Sequence, residues 1–202
     1  MRTFCLALVS LNLLVSSAHA GTSGLNSGSS TITFSTITGG GTCTTSVDTP
    51  IQIGAQAGID PSSAINKNWI GLSPKAFNVN LNNCAGVAIN NQAPYITLTG
   101  TTLIGNKSPE AQDRLFSSGS NATGFGVIIY NTNAPGAGTT NIVTKSGGTI
   151  PIPDHGKGTI LNGNFTVPLV AAVGCGGVAD CAVADLKSGS LSASITFGFA
   201  YK

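Results

Sequence analysis

Residues 188–202, SGSLSASITFGFAYK, put an apolar or small side chain on every second position: Leu191, Ala193, Ile195, Phe197, Phe199 and Tyr201. A period of two belongs to a β-strand with one buried face. Only Lys202 comes after Tyr201. Chain ends fray unless they are tied down, so a strand that carries its largest aromatics at its far end must be held by something.

The rest of the sequence is also β in character. Short alternating or apolar runs occur at 30–38, 49–54, 77–81, 95–101, 124–131, 149–152 and 164–173, separated by turn-rich stretches such as NAPGAG and KSGG. No window of eleven residues keeps a helical period. Strands spaced this way predict an all-β sandwich or barrel. At the opposite end from residues 188–202, STITFSTIT (30–38) sets Ile32 and Phe34 on one face, in phase with Gly28, Ser30 and Thr36. The opening GTSGLNSGSS is too small and polar to order by itself. The segment is joined to the rest of the chain through TGGGT (38–42) and has no evident partner inside its own domain.

Residues 1–20, MRTFCLALVSLNLLVSSAHA, have a basic start, an apolar stretch and a small-x-small end, and are expected to be a secretory signal peptide. Its removal takes Arg2 and Cys5, leaving eight basic and seven acidic residues. There is no basic run, which argues against nucleic acid as a partner, because counterion release needs clustered Lys and Arg. Charged residues are 8% of the chain, against about 25% in an average soluble domain. The surface is therefore expected to be Thr, Ser, Asn and Gly, which suits a protein that meets copies of itself. Four cysteines remain, Cys43, Cys84, Cys175 and Cys181. An exported chain with an even number favours two disulfides, and four cysteines allow three pairings. We favour Cys43 with Cys84, contributing about 4 kcal/mol, and Cys175 with Cys181, contributing about 2.5 kcal/mol, on the loop-entropy account.

Chemistry for catalysis is thin. His155, in PIPDHGKG beside Asp154, is the one histidine beyond the signal segment; a nucleophilic site needs a base placed against a Ser or Cys. The acidic residues are scattered singly, GGG (39–41) and GCGG (174–177) lack the lysine of a phosphate loop, and CGGVADC has no second ligand pair for a metal. No cofactor or metal is expected. NAT at Asn121 is a formal glycosylation sequon.

Taken in order, these residues resemble the pilin subunits of chaperone-usher fimbriae of the type 1 kind. The resemblance rests on STITFSTIT, on a cysteine nine residues beyond Phe34, and on FNVNLNNC with Cys84 at the family's second disulfide position. GFGVIIYN, FTVPLVAAV, the penultimate aromatic Tyr201 and Gly189, fourteenth from the end, complete it. Thr36 departs from the glycine that relatives usually carry there, and the Cys175–Cys181 pair is outside the common pattern. The resemblance implies an incomplete immunoglobulin-like β-sandwich that lacks its last strand and is completed by a donor strand from a chaperone or a neighbouring subunit. It implies a signal peptide (1–20), a donor extension (21–38) and a pilin domain (39–202). Gly28, Ser30, Ile32, Phe34 and Thr36 would face a neighbour's groove. Gly189, Leu191, Ala193, Ile195, Phe197, Phe199 and Tyr201 would form the interactive C-terminal strand. The partners implied are a periplasmic chaperone, an outer-membrane usher, other copies or related pilins, and host receptors through the assembled fimbria. Within that family, residues 21–202 leave no room for a lectin domain, and a chain that both donates and accepts a strand is expected to be a shaft subunit. A minor or tip-fibre pilin is the alternative. More distant is a small outer-membrane β-barrel, disfavoured by the four cysteines and few aromatics.

Overall fold

The computed structural model describes residues 30–36, 43–54, 58–85, 91–131 and 145–202. The signal segment, Gly28 and the whole tether at 37–42 lie outside them. Nine strands are described: β1 (Ser30–Thr36), β2 (Thr44–Val47), β3 (Ile51–Ile53), β4 (Leu72–Cys84), β5 (Pro94–Gly100), β6 (Gly126–Tyr130), β7 (Gly148–Pro151), β8 (Gly163–Gly174) and β9 (Leu191–Tyr201). One short helix, α1 (Pro109–Arg114), begins at Ser108, whose side chain accepts from the Ala111 amide. Pro109 stands at the first helical position, where its missing N–H costs nothing.

The strands form two open sheets, β3-β1-β9-β5-β7 and β2-β4-β8-β6, so the barrel alternative does not fit. One core runs between them. Ile96, Leu98, Ile150, Leu191, Ala193, Ile195 and Phe197 come from the first sheet, and Val79, Leu81, Val127, Ile129, Val167, Leu169 and Ala171 from the second. Alternation explains the first sheet: every second residue of β9 from Leu191 to Phe197 is buried. The second sheet is buried on both faces along β6 and the end of β8, while β4 keeps Lys75, Asn78 and Asn83 exposed. All five residues of β6 (GVIIY) are buried, because α1 and the stretch around Trp69 cover its outer face, packing Leu115, Ala111 and Trp69 on Ile128, Tyr130, Val170 and Ala172. A strand covered on both faces reads as a continuous apolar run, as β6 does.

β4 is longer than the expected 77–81. It starts at Leu72, with a register shift before Lys75 and another before Cys84. Both disulfides favoured from the sequence are formed, Cys43–Cys84 and Cys175–Cys181. Among the described residues no helix is long and apolar enough to cross a membrane.

β9 is paired along both edges by its own chain. β5 lies antiparallel on one side, and β1 lies parallel on the other, Ser30 opposite Leu191 through Thr36 opposite Phe197. The reading that residues 30–38 have no partner in their own domain therefore does not hold for the single chain. The pattern that fitted the segment to another molecule's groove fits it equally to its own.

Tyr130 supplies a test of the covered outer layer. Its hydroxyl donates to the Trp69 carbonyl at 3.3 Å, and burial pushes the phenol up from 10.0 to about 12. A raised folded value means that the contribution is fully present below pH 10 and is lost as pH climbs toward 12, an effect of at most about 2–3 kcal/mol. Denaturant titrations at pH 8 to 11.5 should show a fall in stability for the wild type beyond that of Tyr130→Phe; parallel curves would contradict it.

Candidate functional site

The site is the slot between β3 and β9 into which β1 fits. Its walls are set by alternation. On β9, Leu191, Ala193, Ile195 and Phe197 turn into the core, each at most 3% exposed. On β3, Ile51 and Ile53 do the same on either side of exposed Gln52. β1 pairs antiparallel with β3, Ile32 standing opposite Ile51 and Ser30 opposite Ile53. Ile32 is 0% exposed. Across β9 the register sets Ser30 against Leu191, Ile32 against Ala193, Phe34 against Ile195 and Thr36 against Phe197. At Ile32 and Ala193 a small residue stands beside a larger one, the arrangement that lets side chains interdigitate without voids. Beneath the slot Phe197 meets Phe77 of the opposite sheet, ring centroids 5.8 Å apart.

The sequence-predicted C-terminal strand residues thus do not all play one part. Leu191 to Phe197 form the slot wall. Phe199 and Tyr201 lie beyond the register of β1, half-buried, with rings in an edge-to-face contact at 5.2 Å. Their strand is secured on the other edge by Ile96 and Pro94, and by paired amide–carbonyl bonds between Ala93 and Lys202 of 2.7 and 3.0 Å. The Tyr201 hydroxyl accepts from the Leu161 amide at 3.3 Å. Gly189 stands outside the slot. A Cβ there would lie 2.5 Å from Asn121 Oδ1 and 2.7 Å from the Ala122 nitrogen, so its lack of a side chain serves close packing. Asn121 Oδ1 in turn accepts from the Ser190 amide at 2.6 Å, which engages the sequon side chain in the fold.

Cys43 and Cys84 fasten the start of β2 to the end of β4. The tether of β1 enters the body at Cys43, so the disulfide makes a fixed post for it. Nearby on β2, the Thr45 hydroxyl is buried with no hydrogen-bond partner among the described residues.

Asp180, unremarked in the sequence, organises the far side of the molecule. Its carboxylate accepts from the Ser108 amide (2.6 Å), the Ser108 hydroxyl (2.8 Å) and the Gly177 amide (3.0 Å). The Lys107 ammonium donates to the Asp180 carbonyl, and burial lowers that lysine's pKa against the opposing pull of Asp180 and Asp185. The Cys175–Cys181 loop is thereby tied to the start of α1, and the Trp69 amide donates to the Gly176 carbonyl at 2.8 Å. The one sequence signal was the Ser-Pro cap at 108–109; nothing local marks Asp180 as its partner. His155 is half-exposed, its ring edge-on to Phe165 and its Nδ1 2.7 Å from the Pro153 carbonyl. Among the described residues no three His, Cys, Asp or Glu converge as metal ligands.

No protein-family model matches the sequence, and no curated protein matches it. Solved structures do. The P pilus rod subunit PapA is 19% identical with a TM-score of 0.52, over 80% of this chain and 99% of that one. A chain from a chaperone-usher pilus, in a structure concerned with rod uncoiling, is 16% identical with a TM-score of 0.50, over 96% of this chain and 100% of that one. The fold is that of a chaperone-usher pilus subunit. This pilin fold is an incomplete immunoglobulin-like sandwich: β2 to β9 leave one strand position vacant, and here β1 takes it.

If β1 is a removable filler, a charge at Ile32 should evict it without unfolding the body. An unpaired buried carboxylate costs several kcal/mol, more than the roughly 1.5–3 kcal/mol gained by burying an isoleucine. For Ile32→Asp we expect amide-exchange protection at Leu191–Phe197 to drop at least tenfold while β4 and β8 keep theirs. Equal loss throughout would mean that β1 is integral to the body.

Proposed function

We propose that this protein is a structural, non-catalytic subunit of an adhesive surface fimbria, polymerised by donor-strand exchange and placed in the shaft. The observation that supports it most is that one flank of β9, from Leu191 to Phe197, is served by a segment outside the body, joined to it only through residues 37–42. Such a segment can make the same backbone bonds in an identical slot on another copy, so each copy both offers a strand and accepts one. Strand addition gives affinity through main-chain bonds and register through alternate side chains. Gly28, Ser30, Ile32, Phe34 and Thr36 are the donor face in this reading, residues 21–38 the extension and 39–202 the accepting domain. Leu191 to Phe197 receive the strand, with Phe199 and Tyr201 extending the receiving edge.

An open slot would aggregate, since it exposes unpaired amides beside apolar side chains. A periplasmic chaperone lending a strand of its own would protect it during export, an outer-membrane usher would receive the complex, and other copies or related pilins would join in turn. Host receptors would be met through the assembled fimbria on the surface of a Gram-negative cell. No cofactor enters this scheme.

The full exported chain lacking residues 21–38 should still be captured by its chaperone yet fail to insert into a neighbour; polymers of the truncated protein, seen by electron microscopy, would sink the donor assignment. Cells lacking the chain altogether should lose the fimbrial shaft, whereas shafts without this subunit would move it to a minor or tip position.

Tyr201→Ala removes a half-buried ring packed on Phe199 together with the acceptor of the Leu161 amide. A buried aromatic contact is worth about 0.5–1.5 kcal/mol beyond its area, so periplasmic chaperone-bound subunit should fall severalfold while Tyr201→Phe stays near wild type. Wild-type levels of the alanine variant would remove Tyr201 from the interactive strand.

A further inference from the structure

Two pieces of chain cover the outer face of β6 and the end of β8, the Trp69 stretch and α1, and both are bonded to the loop that Cys175 and Cys181 close. On one side the Asn66 amide donates to the Cys181 carbonyl at 3.1 Å and the Trp69 amide to the Gly176 carbonyl at 2.8 Å. On the other, Ser108, which caps α1, gives its amide and its hydroxyl to the Asp180 carboxylate, and Lys107 donates to the Asp180 carbonyl. The loop also packs closely on α1. A Cβ on Gly176, at φ 106°, would come within 2.9 Å of Asp180 Oδ2 and 3.0 Å of Ala111 Cβ. Asp180 is the one buried charged side chain among the described residues. Shaping this loop is costly by itself, because two glycines must be ordered and a carboxylate taken out of water.

We propose that the Cys175–Cys181 bridge is a redox latch for this cover. Oxidised, it holds the loop in the shape that receives both the Trp69 stretch and α1; in the dithiol chain the cover undocks and bares Ile128, Tyr130, Val170 and Ala172. Closing the latch oxidises two thiols to one disulfide at the expense of an oxidant that is itself a disulfide. One cysteine thiolate attacks a sulfur of that oxidant and displaces a thiolate, and the second cysteine thiolate then resolves the mixed disulfide, so the oxidant leaves as two thiols carrying both electrons and both protons. Cys175 and Cys181 are 1% and 0% exposed, so neither sulfur can be reached once the cover is docked. The bridge therefore forms first, and afterwards the same burial keeps reductants out, since exchange needs access. Joining cysteines six residues apart favours closure of the loop by about fiftyfold on the loop-entropy account. The slot for β1 lies in the other sheet, and the Cys43–Cys84 bridge braces it, so the latch acts on one half of the sandwich. A chain exported without oxidation thus carries an apolar patch that marks it as unfinished.

The test uses the full exported chain with its own β1 in the slot. In Cys175→Ala with Cys181→Ala, the other bridge intact, the amides of Asn66, Trp69 and Ser108 should lose at least tenfold of their exchange protection while those of Leu191–Phe197 keep theirs. Trp69 is buried and is the single tryptophan of the chain, so its emission should shift to the red in that variant. Asp180→Asn, with both bridges formed, should weaken the bonds of Ser108 and leave Asn66 and Trp69 protected, because the bridge still holds the loop. Refolding of the reduced wild type with oxidised glutathione, sampled by thiol alkylation and peptide mass spectrometry, adds a measurement that needs no variant: pairing of Cys175 with Cys181 should precede the blue shift of Trp69. Unchanged protection and emission in the alanine pair, or a blue shift ahead of pairing, overturns the latch. Equal loss of protection along β9 also overturns it, by making the bridge a staple of the whole body, and so does an Asp180→Asn variant that opens as widely as the alanine pair, by giving the task to the carboxylate.

Discussion

A β-strand has two edges, and each edge of a buried strand must find backbone partners. β9 is where this constraint is hardest to meet. It is eleven residues long, its inward side chains are central to the core, and its second edge can be reached only by a segment from outside the body. The remaining architecture comes from filling that place. β3 is short and holds the far side of the slot, the Cys43–Cys84 bridge fixes the post from which the tether departs, and Ala193 leaves room beside Ile32. A tethered strand has an effective concentration in the millimolar range, so any competing strand begins at a disadvantage. It gains by covering more of β9 than Leu191–Phe197, and the edge from Gly198 to Tyr201 offers that extra length. An antiparallel occupant gains slightly more per residue than the parallel β1.

The two sheets divide the labour. The second is sealed on both faces at its β6 side, with β6 wholly buried and Phe116 paired to Val127 across its outer edge. Asp180 holds that seal in place by satisfying three donors at once while bracing the disulfide loop against α1. A buried carboxylate is tolerable when its lone pairs are used in this way. The first sheet has one buried face, and β1 fills the position between β3 and β9.

Much of this was legible in the residues. Period-two alternation gave β9, β5 and β1, the continuous apolar GVIIY gave β6, and the even count of cysteines beyond the signal segment gave two bridges, formed in the favoured pairing. What was missed has physical reasons. TTSV (44–47) is short and polar, so β2 carries no alternation to see. The start of β4 is broken by a register shift at Ser73 and Pro74, with Ser73 at φ 48°, which erases the strand period there. Asp180 acts over 72 residues of sequence on Ser108, and no local pattern records such a distance. Alternation also says which face of a segment is buried but not whose core receives it. That is why STITFST was expected in another molecule and is found in its own slot.

The sandwich closes off nearly every other route to uncontrolled association. β7 is four residues long, ending at Pro151 with Pro153 just beyond, and β2 and β3 are four and three residues. Short edges and prolines are how natural sheets prevent edge-to-edge pairing. A protein designed only to stay monomeric would also place lysines on its exposed sheet. This one blunts its edges and leaves its broad face uncharged, so the protection is selective. The one long edge, that of β9, is paired with β1 from Leu191 to Phe197, and its register is set by alternating side chains.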